Sequence, residues 1–174
     1  MTTLEEARPI RNPAYPTWLR VILLIITIGK VVTAFTALSV LFDNDPDIPG
    51  RSLGGLVISA VIALSPILAV AAFIHALRGR IAAAIIAIAA LALLDWLSYV
   101  PSVANHWSEF PDPGFVGLVE IVQMVVLPLL AAAGIVLAWQ GQRLRLATLF
   151  AILPTLAYVA GVLAFGMGVA IYGF

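Results

Sequence analysis

Residues 81–103 read IAAAIIAIAALALLDWLSYVPSV, an apolar run of membrane-spanning length with one charge, Asp95. About 20 mostly apolar residues suffice to cross the ~30 Å of hydrocarbon in a bilayer. Reading outward, four further stretches qualify: 19–42, 53–77, 115–139 and 146–172. Backbone polar groups cannot be left unpaired in lipid, so each stretch is expected to be a helix. No succession of ~10-residue alternating segments points to a β-barrel. The expected fold is all-α, an integral membrane bundle of five transmembrane helices over 19–174, preceded by a polar cytoplasmic segment, 1–18.

Composition supports that class. Of 174 residues, 63% are hydrophobic and 10% charged, with a mean hydropathy of +1.11. Soluble domains are nearer ~45–50% apolar and ~25% charged. The formal net charge is zero, so there is no overall field to recruit nucleic acid. The absence of cysteine excludes disulfides, thiolate metal sites, iron–sulfur clusters and cysteine nucleophiles.

Arginine placement sets the expected orientation. Arg8, Arg11 and Arg20 precede or open the first stretch, Arg78 and Arg80 join the second to the third, and Arg143 and Arg145 join the fourth to the fifth. The other connections hold Arg51 as their one cation, beside Asp43, Asp45, Asp47, Glu109 and Asp112. The positive-inside rule then places the N-terminus in the cytoplasm and the C-terminus outside. Tyr15, Trp18 and Trp139 fall at the inner boundary, and Tyr99, Trp107 and Tyr172 at the outer one, as interfacial aromatics do. The first stretch is too long for a secretory h-region and has no small-residue cleavage site after it. Arginine outnumbers lysine 8 to 1 and alanine is abundant. That composition goes with a GC-rich bacterial genome, so the expected location is a bacterial inner membrane.

Pro66-Ile67-Leu68-Ala69-Val70-Ala71 can be laid on Pro128-Leu129-Leu130-Ala131-Ala132-Ala133, an offset that also matches Ala76 with Ala138 and Gly79 with Gly141. This reads either as an internal repeat of two helix pairs or as chance among alanine-rich spans. Pro66, Pro128 and Pro154 are each expected to kink a helix and free a carbonyl one turn earlier. Ala160, Ala164 and Gly168, with Gly161 beside them, recur at helical spacing, as do Ala83, Ala87 and Ala90. Small residues let backbones approach, so the third and fifth spans are expected inside the bundle or at a subunit contact.

Three ionisable side chains fall where charge is costly: Lys30, Asp95 and Glu120. At 1.5 Å per residue, Lys30 lies ~14 Å, Asp95 ~9 Å and Glu120 ~8 Å below the outer boundary. Asp95, Ser98, Tyr99 and Ser102 share one helical face, as do Glu120 and Gln123. Thr27 and Lys30 share another, and Ser59 has a similar depth. These faces are expected to turn inward around a polar centre. One reading is a buried Lys30–carboxylate pair that fixes helix register. The other is an outward-opening solute or proton site that uses Lys30, Asp95, Glu120, Gln123, Tyr99 and Ser59.

The remaining signals are weak. His75 and His106 sit a membrane apart, so no haem is expected between them. Asp43, Asp45 and Asp47 alternate like the first ligands of a calcium loop, but its required glycine and glutamate are replaced by Ile48 and Gly54. The loop Asn105–Gly114 could cover the polar centre as a lid. No metal or cofactor is expected, and no catalytic motif of the common hydrolase, P-loop or dinucleotide types occurs. The expectation is a non-enzymatic accessory, assembly or scaffold subunit, with a small solute carrier as the alternative. Its expected partners are the lipid bilayer and a protein or second copy bound through the small-residue faces.

Overall fold

A computed structural model describes residues 15–42, 53–105, 110, 111, 115–141 and 143–173. The N-terminal segment before Tyr15, the acidic loop carrying Asp43, Asp45, Asp47 and Arg51, and the loop residues His106, Trp107, Glu109 and Asp112 lie outside them. Helix α1 is Thr17–Leu38 and tightens into a 3-10 turn at Ser39–Leu41. Helices α2, Leu53–Leu77, and α3, Ile81–Asn105, follow. The fourth apolar stretch comprises α4, Phe115–Ile121, a π turn, Val122–Val126, and α5, Leu127–Trp139. Helix α6 is Leu144–Tyr172, and no strand occurs among the described residues. Among the described residues, five helices are thus long and apolar enough to cross a membrane. Their bounds fall within a few residues of the expected ones.

The two helix pairs turn alike. Gly79 and Gly141 both adopt the left-handed conformation, with φ of 71° and 65°, which glycine reaches without steric cost. Gly79 N–H donates to the Ala76 carbonyl at 3.2 Å, and Gly141 N–H to that of Ala138 at 3.1 Å. One residue earlier, Arg78 bonds back to Ile74 and Gln140 to Val136. The same offset pairs buried alanines: Ala69 with Ala131, Ala76 with Ala138, and Ala89 with Ala151. The turn and the packed face therefore follow the correspondence seen in the sequence. The second turn is not identical, since Arg143, at φ 54°, also enters the left-handed region before α6 begins.

Packing is concentrated at the end where these turns and their arginines lie. Helix α3 packs against α2, α5 and α6, while α1 lies on α2 and touches α6. Leu19, Leu23, Ala72, Ala76, Ala84, Ile85, Ile88, Ala138, Ala147 and Ala151 are buried there. At Gly134 an added Cβ would sit 3.3 Å from both the Ala147 carbonyl oxygen and the Ala151 nitrogen, so the α5 and α6 backbones nearly touch. Polar links close the same end. The Tyr15 hydroxyl and Thr148 Oγ1 are 2.7 Å apart, and burial, against the pull of that bond, raises the Tyr15 phenol above its usual pKa. Arg20 donates to the terminal carbonyl of α2, Leu77, at 3.0 Å, where a cation also complements the helix dipole.

The opposite end is looser, and the third and fifth spans differ there. The interior position expected for the third span holds, with Ala84, Ala87 and Ile88 buried. The fifth span is inside only over its first two turns or so. Ala160, Gly161 and Ala164 are exposed, and nothing lies within 4 Å of a Cβ built on Gly161, Gly166 or Gly168. The small residues that bring α6 against α5 are the earlier ones, Ala147 and Ala151. Beyond Pro154 the helix leaves its neighbours.

Pro128 has a specific outcome. Lacking an N–H, it leaves the Met124 carbonyl without its helical donor. The Trp96 indole of α3 supplies one at 3.1 Å. The helix widens into the π turn immediately before, where Leu127 N–H reaches back to Val122. Such turns are a recognised source of kinks.

The contact at Gly134 is testable. Gly134→Val should lower the thermal midpoint of the purified protein, because both facing atoms belong to backbone and must move. Gly29→Val, made where a Cβ meets nothing within 4 Å, should leave it near wild type. Equal effects of the two changes would contradict the close α5–α6 approach.

Candidate functional site

Helices α1, α3 and α6 all begin at the arginine end, so equal counts along them mean equal depth. Lys30 is thirteen residues past Thr17 and Asp95 fourteen past Ile81, placing both ~20 Å along their helices at 1.5 Å per residue. Lys30 Nζ donates to Asp95 Oδ2 at 2.7 Å. The short N–O distance is that of a charge-assisted hydrogen bond. The lysine side chain is 16% exposed and the aspartate 42%, so the acid forms the open side of the pair.

The surrounding polar groups keep the backbone helical. Thr27, buried one turn before Lys30, bonds back to the Leu24 carbonyl. Thr33 Oγ1 bonds to the Gly29 and Lys30 carbonyls, each at 3.1 Å. Ser98 Oγ donates to the Asp95 carbonyl at 2.6 Å. These hydroxyls satisfy themselves within their own helices. Lys30 and Asp95 are joined across helices.

The other residues singled out from the sequence are less closely gathered. Glu120 is half-buried on α4 and is not a third member of the Lys30–Asp95 ion pair. Gln123 is exposed on the π turn, and Ser59 is half-buried on α2. Neither hydrogen-bonds to the pair. Tyr99, one turn past Asp95, is 46% exposed. It lies within electrostatic reach of Asp95 and of Tyr158.

Two residues of this region escaped the sequence reading. Tyr158 of α6 is fourteen residues past Leu144, the same count as Asp95 past Ile81. Thr155 lies one turn below it, and its Oγ1 is buried without a hydrogen-bond partner. The sequence does carry the signal: counting depth along the last span from Leu144 would have found both. Among the described residues there is no group of three or more His, Cys, Asp or Glu that could hold a metal ion. His75, at the arginine end, has a buried Nδ1 without a partner.

The pair has a measurable worth. Exposed ion pairs contribute up to about 1 kcal/mol, and breaking a buried one costs about 3–5 kcal/mol. Lys30→Met should fall between, losing about 1–3 kcal/mol of stability by leaving Asp95 alone. Lys30→Met combined with Asp95→Asn should regain much of that loss in a thermal melt. No recovery in the double variant would contradict the coupling.

Protein-family models, curated proteins and solved structures yield no match to this chain.

Proposed function

We propose that this protein is a non-enzymatic, multi-pass accessory, assembly or scaffold subunit of a bacterial inner membrane. The arginine end faces the cytoplasm, with the N-terminus inside and the C-terminus outside. The lipid bilayer covers the exposed apolar side chains, and a partner protein or second copy covers the small-residue face of α6.

One observation carries this reading. Ala160, Gly161 and Ala164 form a face of the last helix that is exposed and has open space before it. Lipid provides no hydrophobic drive to hide such a face, but another helix backbone gains close van der Waals contact by approaching it. The same chain already uses small residues in this way at Gly134. In this reading Lys30–Asp95 is structural and fixes α1 against α3.

A second reading, a small ligand-binding or carrier protein, draws on a different observation. The Asp95 side chain retains 42% exposure although it is paired. A purely structural pair gains nothing from that opening.

Gentle extraction from membranes should bring down a constant partner or a second copy. Gly161→Ile should reduce recovery of that species about tenfold or more, the equivalent of about 1.4 kcal/mol. The thermal midpoint of the subunit itself should not fall. A monodisperse single chain in mild detergent and in bilayers, unaffected by Gly161→Ile, would overturn the scaffold assignment.

A further inference from the structure

A side chain of α1 crosses the turn between α2 and α3. Arg20 donates from one guanidinium nitrogen to the Leu77 carbonyl at 3.0 Å. A Cβ built on Gly79 would stand 3.6 Å from the same nitrogen, so Arg20 lies against the turn itself. Gly79 is flanked by Arg78 and Arg80, both exposed. One tight turn therefore gathers three arginines from two helices. The side chains of Arg78 and Arg80 make no hydrogen bond or ion pair among the described residues. Arg20 gives one donor to Leu77 and keeps the rest of its guanidinium fork free. Helix α3 begins at the next residue, Ile81, with no acidic side chain in its first turn. The unpaired N–H groups and the dipole of such an end also favour an anion.

The fold does not neutralise this charge. The acids among the described residues are Asp95, which is paired with Lys30, and Glu120. Asp95 is ~20 Å along α3 from the turn, and Glu120 stands near the far end of the fourth span. In the sequence Glu5 and Glu6 precede α1, but Arg8 and Arg11 of the same segment offset them. The counter-charge therefore comes from outside the chain. The turn lies between one apolar span that ends at Leu77 and another that begins at Ile81, which puts it at the edge of the hydrocarbon, where phospholipid phosphates lie. A phosphate accepts several charge-assisted bonds from guanidinium groups. The exposed apolar side chains Ile74 and Leu77 lead from the turn into the bilayer, so acyl chains can continue along α2.

The second turn is a natural comparison. Arg143 and Arg145 are exposed beside it, but nothing lies within 4 Å of a Cβ built on Gly141. No arginine of another helix is laid on that turn as Arg20 is on Gly79. A donor already held in place costs less to recruit than a free one.

We propose that the α2–α3 turn is a binding site for an anionic phospholipid, whose phosphate is held by Arg20, Arg78 and Arg80. The inference depends on neither functional reading above.

The full-length protein in mild detergent is titrated with phosphatidylglycerol or with phosphatidylcholine, and bound lipids are counted by native mass spectrometry. The first phosphatidylglycerol is expected to bind about tenfold or more tighter than phosphatidylcholine. Arg78→Gln with Arg80→Gln should weaken phosphatidylglycerol about tenfold or more. Neither side chain has a partner to lose, so the thermal midpoint without added lipid should stay near wild type. Arg143→Gln with Arg145→Gln removes the same charge and should weaken binding less than about threefold. Equal affinity for the two lipids on the wild-type chain, a comparison that needs no variant, would overturn the proposal. An equal or larger effect of the Arg143 and Arg145 changes would also overturn it, because lipid would then be responding to charge in general and not to this turn.

Discussion

Hydrocarbon does not accept a single charge, and this protein places Lys30 and Asp95 in its spans only by joining them at 2.7 Å. The contact reaches from the first long helix to the most enclosed one. Helix α1 otherwise lies mainly against α2 and touches α6. The ion pair is therefore the polar link that orients α1 toward α3 at mid-height. An ion pair of this kind adds little net stability over an apolar contact, but it excludes arrangements in which either member stands alone.

Below that level the architecture is made by small residues. Alanine and glycine bring α2, α3, α5 and α6 to close approach at the end where two similar left-handed glycine turns reverse the chain. Lipid-exposed helices gain no hydrophobic energy from association, so backbone proximity and dispersion have to hold them together. Above that level the small-residue contacts run out and α6 stands apart. The protein thus combines a tight arginine end with an open opposite end. The features that suggest a function, the exposed Gly161 face and the half-exposed Asp95 side chain, both belong to the open end.

Much of this was legible in the sequence. The five long helices follow from apolar length alone, and counting residues along two spans put Lys30 ~5 Å deeper than Asp95, a gap a long lysine side chain can cross. The offset linking Gly79 to Gly141 anticipated the similar turns. Other features were not legible. A proline announces a missing hydrogen bond, but Pro128 does not reveal that the chain would widen into a π turn or that Trp96 would serve the Met124 carbonyl. Small-residue spacing shows where backbones are able to meet and not where they do, so Ala147 and Ala151 made the contact while Ala160 and Ala164 did not. Glu120 shares the depth of Asp95, but depth leaves the direction of a side chain open.

Lys30 is the only lysine in the chain, so its ammonium gives one nitrogen signal when lysine is labelled with 15N at Nζ. The most direct test of the central claim is a dipolar dephasing experiment in bilayers on protein that also carries 13C at the aspartate Cγ. Strong dephasing of the lysine signal is expected, corresponding to an N–C separation of about 3–4 Å, and it should vanish in Asp95→Leu. A lysine signal that shows no dephasing, or one that keeps it when Asp95 is replaced, would contradict the account.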